Sequence, residues 1–214
     1  MKKGQTLWTD DNKFQVSLFP LDVMDITQTS SPDSFSHCCG HPCDYVGTTV
    51  KYPIYAPFDC HLIYMDGASV GNTRIWQSDK EVQTPTGISY VCVGFTHDEN
   101  PPYNTIGAKI KQGQLIGHSG IAGFVTADHT HIDQAKGQNK VLVNSGRVCA
   151  SGNTCYNIQD SDYPYNIFFD NDTTIVNTMG YTFKEYKGGH PGPGPSPEDN
   201  EGMSIMFYLK RRIR

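Results

Sequence analysis

Apolar and polar residues alternate in short runs along this chain, and nowhere does the three-to-four-residue spacing of an amphipathic helix persist for a useful length. A two-residue period puts successive side chains on opposite faces of a strand. The pattern therefore predicts a mainly β protein, with an antiparallel sheet core and few helices. Strand-like runs fall at Val50 to Tyr55, Cys60 to Met65, Ile88 to Phe95, Ile106 to Gly117 and Asp128 to Asp133. Glycine (21), proline (13) and tyrosine (12) are plentiful, which suits strands punctuated by tight turns.

Residues 1–186 are read as one domain, with its motifs within about 36–135 and an extension over 137–186. In the extension, Lys140 to Val143, Asn166 to Phe169 and Thr173 to Val176 look like further strands packed on the core. Residues 187–202, with Gly188-Gly189-His190-Pro191-Gly192-Pro193-Gly194-Pro195, form a linker too rich in proline and glycine to pack. Residues 203–214 are an apolar stretch followed by Lys210-Arg211-Arg212-Ile213-Arg214. This tail is read as exposed, as docking to a partner protein, or as folding back over the domain's site.

Lysine and arginine total 17 against 22 aspartates and glutamates, a net charge of −5, so no overall basic field invites nucleic acid. No run approaches 18 apolar residues, so no membrane span is expected. Met1-Lys2-Lys3-Gly4 leads into polar residues rather than an apolar segment, which does not read as a secretory signal. The seven cysteines lack the doubled CxxC spacing of a structural zinc site. Free buried thiols and one or two disulfides both fit. Cys149 and Cys155, flanking Ser151-Gly152-Asn153-Thr154, are the expected bridged pair.

His129 and His131 form an HxH pair on an alternating run, so both imidazoles can approach one small site. Far upstream lies Ser36-His37-Cys38-Cys39-Gly40-His41-Pro42-Cys43-Asp44. A catalytic zinc takes three protein ligands and keeps one position open for water. One upstream histidine, Asp44 and a histidine of the pair would supply that set, leaving another imidazole to move protons.

Four blocks, in order, resemble the lysostaphin-type zinc endopeptidases, a family of peptidoglycan hydrolases. They are Ser36-His37 with Asp44; Tyr52-Pro53-Ile54-Tyr55-Ala56-Pro57-Phe58-Asp59-Cys60, with Cys60 where the family usually has glycine; Val93-Gly94-Phe95-Thr96-His97; and Ile110 to Gly120 continuing through Asp128-His129-Thr130-His131. The last is the most specific, similar to the family's glycine-turn strand that ends in HxH. The resemblance implies Zn2+ held by His37, Asp44 and His131. It implies His129 as the general base or water-orienting group, and His97 as a second imidazole that stabilises the oxyanion. The spacing departs at the first ligand: the family often has HxxxD, where this chain has Gly40. His37 and His41 both remain candidates. His61, His118 and His190 read as structural or inert, and Tyr103 and the 66–87 insertion as groove walls.

The implied activity is a metalloendopeptidase acting on the peptide of bacterial cell-wall peptidoglycan. With no secretory signal read, the expected setting is a bacteriophage virion. There the enzyme would be tail-associated, with tail proteins as partners through the 203–214 tail, or would act as an endolysin at host lysis. A structural tail module that keeps the fold without turnover is the reading from a different class.

Overall fold

The structure is a computed structural model that describes residues 8–9, 11–21, 26–28, 30, 34–47, 49–84, 86–163 and 167. Fourteen strands follow one another in the chain: β1 (Gln15–Val16), β2 (Ile26–Gln28), β3 (Cys43–Tyr45), β4 (Pro53–Tyr55), β5 (Cys60–Met65), β6 (Arg74–Ser78), β7 (Val82–Thr84), β8 (Gly87–Ser89), β9 (Val91–Thr96), β10 (Lys109–Ile110), β11 (Leu115–His118), β12 (Thr130–Lys136), β13 (Leu142–Val148) and β14 (Thr154–Ile158). No helix occurs among the described residues, as the missing helical period predicts.

Seven strands make the principal sheet, in the order β10-β5-β6-β9-β12-β3-β2, with every neighbour antiparallel. Beside it lie the β11–β4 and β13–β14 antiparallel pairs and a small sheet, β1-β7-β8, in which β1 and β7 run parallel. The two-residue period divides the principal sheet into two faces. Tyr45, Leu62, Trp76, Val93 and Ile132 point to one side and join Phe19, Ile54 and Phe58 in the main core. Ile75, Cys92 and Ala135 point to the other side, where Ile158 of β14 covers them. Burying a side chain the size of Ile158 is worth about 1.5–3 kcal/mol. Gly94 makes the close fit possible, because a Cβ there would lie 3.2 Å from Ile158 Cδ1.

The extension therefore contributes a hairpin, β13–β14, that roofs the second face of the sheet. Asp133, on β12 and 3% exposed, fastens it. Its carboxylate accepts from the Ser161 hydroxyl at 2.6 Å, from the Gln134 N–H at 2.8 Å and from the Ile158 N–H. Burial pushes the Asp133 carboxyl upward against those hydrogen bonds.

Two expectations need correction. Cys149 and Cys155 do not bridge each other. Cys149 follows β13 and Cys155 lies in β14, and each takes one of the adjacent cysteines upstream, as Cys38–Cys149 and Cys39–Cys155, with Cα–Cα distances of 5.5 and 6.3 Å. A turn-flanking pair is close in sequence, but here the hairpin turns both sulfurs toward a segment more than a hundred residues away. Cys43, Cys60 and Cys92 are free and buried. Residues 66–87 are mostly not a groove-wall insertion: they contain β6, a central and fully buried strand, and β7. The turn before β6 does approach the candidate site, where Gly71 O accepts from the His97 N–H. The expected strands at 166–169 and 173–176, the linker and the C-terminal tail lie outside the described residues, apart from buried Ile167.

Candidate metal centre

The pairing of β3 with β12 places Asp44 directly opposite His131. Directly opposed residues of an antiparallel pair have side chains close enough to touch. Asp44 Oδ1 lies 3.1 Å from His131 Nδ1. His37 arrives from outside the sheet, on an irregular segment, and brings its Nε2 to 3.2 Å from the same oxygen. The His37 and His131 rings stand perpendicular, with centroids 4.7 Å apart. All three donor atoms lie within 4.8 Å of one another. Ligands at the vertices of a tetrahedral zinc site, with bonds near 2.0–2.1 Å, are spaced by about 3.3 Å. Two imidazoles and one carboxylate, so spaced, fit a zinc ion with a vertex to spare.

His41 lies elsewhere. Its N–H donates to Ser161 Oγ at 2.9 Å and its ring stacks on Tyr163 at 4.0 Å. Of the two upstream candidates, then, the fold brings His37 to Asp44. Cys38, Cys149 and Cys155 also cluster, but their sulfurs are held in disulfides and offer no thiolate.

The charges agree with this arrangement. Burial alone would raise the Asp44 carboxyl, but hydrogen bonds and charge from His131 and His37 hold it well below the ordinary range. Burial works to lower His131, and the Asp44 carboxylate overcomes it and raises the imidazole. His37, only 3% exposed, is lowered chiefly by burial.

Two further imidazoles flank the three ligands. His129 pairs across a bridge with Gly120 just before β12, and its Nε2 lies 3.5 Å from Asp44 Oδ1. His97 follows the end of β9, one residue past Thr96, which faces His131. In continued strand it would point away from Thr96's side. Its backbone instead takes φ +87°, a strained left-handed conformation, which breaks the alternation and brings its ring to 4.6 Å from His129 and 6.0 Å from His131. The strain is held from three sides. The His97 N–H donates to Gly71 O at 2.7 Å, its carbonyl accepts from the Ala122 N–H at 3.0 Å, and a Cβ on Gly120 would sit 2.2 Å from that carbonyl oxygen.

Backbone carbonyls fix both tautomers. His97 Nδ1 meets Ala122 O at 2.7 Å and His129 Nδ1 meets Ala127 O at 2.8 Å. A carbonyl only accepts, so each Nδ1 carries the hydrogen and each neutral ring keeps Nε2 as an acceptor. Burial, then the charges of His131 and His129, push His97 down to about 3.

His61 pairs with Asp79 at 2.7 Å on the sheet, away from these groups. The His118 N–H donates to Asp98 at 2.8 Å in the glycine turn. Tyr103 packs edge-on against Trp76 at 5.4 Å rather than lining the centre. His190 lies outside the described residues. The carbonyls of Ala122 and Ala127 carry no side-chain signature and escape a motif reading. Asp128 does leave one, standing directly before the HxH pair. It accepts from Ser119 Oγ and, at 3.1 and 3.2 Å, from the Lys51 N–H, which anchors the loop that delivers His129.

The motif blocks of this chain resemble those of the lysostaphin-type peptidases. Among solved structures it is similar to a zinc-containing peptidase from Vibrio cholerae, at 17% identity over 60% of this chain and 42% of that one, with a TM-score of 0.43. It is also similar to the catalytic domain of lysostaphin from Staphylococcus simulans, at 16% identity over 64% of this chain and 88% of that one, with a TM-score of 0.42. No family model matches the chain. Among curated proteins it is 38% identical over 174 residues to Morphogenesis protein 1 of Bacillus phage B103. The match takes in 79% of this chain, which spans 44% of that relative's length.

Proposed function

We propose that this chain is a zinc-dependent endopeptidase that hydrolyses peptide bonds in bacterial cell-wall peptidoglycan as part of a phage particle. The observation that carries the reading is the convergence of His37 Nε2, Asp44 Oδ1 and His131 Nδ1, flanked by the imidazoles of His129 and His97. The name of the phage relative supports the particle setting. Tail association, through partner proteins that bind the 203–214 segment, is the form of that setting we favour over a lysis-stage enzyme.

His37, Asp44 and His131 would hold the metal, which when bound polarises a scissile carbonyl and makes water acidic enough to attack at neutral pH. His129 takes the water's proton at Nε2 and returns it to the leaving amine, with its Nδ1–H anchored on Ala127 O throughout. His97, neutral and pinned by Ala122 O, orients the water as an acceptor. It becomes an oxyanion donor only when a proton reaches its Nε2. That sharpens the role expected for His97, because a stabilising hydrogen bond must point hydrogen at the developing charge.

The test is a metal assay on the purified protein together with digestion of purified walls from several bacteria and mass analysis of the fragments. One equivalent of zinc and new peptide ends are expected, and the fragment masses identify the bond cut. Stoichiometric zinc with no new ends on any wall would remove the activity. The word morphogenesis in the relative's name favours one second reading, a particle component that keeps the fold without turnover. Substoichiometric zinc in a folded, carefully prepared sample would support it.

A further inference from the structure

Asp44 and His131 are fixed by a sheet ladder, but His37 is not. It lies in a segment with no strand pairing, and its own N–H donates only to nearby Ser34 Oγ at 3.0 Å. The two residues that follow, Cys38 and Cys39, are both bridged to the β13–β14 hairpin, across 111 and 116 residues of chain. The same hairpin holds this segment at two more points. Ser151 N–H donates to Phe35 O at 2.9 Å, and Gly40 lies so close to Asn157 that a Cβ would come within 2.6 Å of it. The hairpin's far end is fastened to β12, the strand that carries His131, through Ile158 N–H to Asp133 and Asp162 N–H to Gln134 O at 2.8 Å. A continuous mechanical link therefore runs from one candidate ligand to the other.

We propose that the twin bridges Cys38–Cys149 and Cys39–Cys155 are positioning groups for His37, so that the hairpin sets how tightly this chain holds its metal. The inference rests on the metal-site reading above. One bridge would fix a point and leave the backbone free to turn about it. Two bridges on adjacent residues fix position and direction together, immediately after the ligand. A ligand already held in place gives up no conformational freedom on binding, which is where preorganisation gains affinity. The extension, which bears no motif, thereby acquires a role in the site.

The test is zinc affinity, measured by competition with a chromophoric chelator, for the wild type and for two paired variants, Cys38→Ser/Cys149→Ser and Cys39→Ser/Cys155→Ser. Removing both members of a pair leaves no freed thiol to bind zinc. Each paired variant is expected to lose about ten- to a hundredfold in affinity, the range typical of losing support around a ligand. In a His37→Ala background the same substitutions should lose no more than about twofold, because coupled effects on one group are not additive. A purely structural role would not produce that difference. Unchanged affinity in the paired variants overturns the inference, as does an equal loss with and without His37. A paired variant that shows no cooperative thermal transition also overturns it, since the bridges would then hold the fold rather than the ligand. Failure of the metal-site reading looks different: the wild type with both bridges intact would bind no zinc, and this inference would fall with it.

Discussion

At the scale of single residues, the site is made by a few side chains whose directions are set by backbone they do not choose. His97 is the clearest case, with φ +87° and a carbonyl that leaves no room for a Cβ on Gly120. Gly120→Ala is expected to lower the turnover of wall substrate at least about tenfold while one equivalent of zinc stays bound. A displaced orienting group costs catalysis more than binding; unchanged kcat would remove the strained turn from the mechanism. His129→Ala should abolish peptide release, again with zinc retained, and persistent release would take away its role as base. The two upstream histidines separate in a metal titration. His37→Ala is expected to cost zinc affinity roughly a hundredfold or more, beyond the loss of an outer-shell partner. His41→Ala, whose ring sits on Tyr163, should leave affinity within about threefold of the wild type. The HxH pair and Asp44 were legible in the sequence because strand period and residue type are local properties. His37 was favoured over His41 through the resemblance, and the spacing left both open, because the outcome depends on which of two nearby imidazoles the hairpin turns toward β3.

At the scale of elements, alternation located strands well and could not say what covers them. β5 is read from its sequence at its observed bounds, and β9 and β12 to within a few residues, since each alternates between a packed core face and a second face. β6 escaped: Arg74-Ile75-Trp76-Gln77-Ser78 mixes charged and polar residues into a strand buried at every position. Arg74 is accommodated because its guanidinium donates to Asp66 O at 2.9 Å, Tyr103 O at 3.1 Å and Asn104 Oδ1 at 2.7 Å, which makes a buried cation tolerable. The hairpin roof was legible only in part, as the strand at Lys140 to Val143 packed on the core; its second strand and the bridges to the segment upstream were not, because those contacts join residues far apart in sequence. Its dependence on Asp133 can be measured. Asp133→Ala leaves the Ile158 N–H and the Ser161 hydroxyl without their buried acceptor, and each such loss costs about 1–3 kcal/mol. Hydrogen exchange should then rise in 154–161 well before it rises in β5 or β6. Equal loss of protection across all strands would show that the hairpin does not open as a unit.

At the scale of the whole molecule, the seven cysteines divide into four that cross-link the periphery and three that sit as thiols inside the sheet. That division explains why cysteine spacing alone predicted the wrong pair: the spacing records neighbours along the chain, while the bridges join an unpaired segment to a hairpin more than a hundred residues away. It also makes the molecule sensitive to base. Burial, with charge from Asp44, pushes the Cys43 thiol from 9.0 up to about 12; burial pushes Cys92 up to about 11 and Cys60 well above its ordinary value. A thiol whose folded pKa is raised contributes its full stability below the unfolded value, near 9. That stability is lost as pH rises toward the folded value, because only the unfolded chain releases the proton. Each thiol therefore costs about 1.4 kcal/mol per pH unit in the window from about 9 to 11. Urea midpoints at pH 8, 9, 10 and 10.5 should fall with a slope that Cys92→Ala reduces by about one such increment, whatever the variant's offset at pH 8. An unreduced slope in Cys92→Ala would mean that this thiol ionises in the folded chain. Native protein should accordingly resist iodoacetamide at pH 8, and unfolding in urea without reductant should expose three reactive thiols and no more.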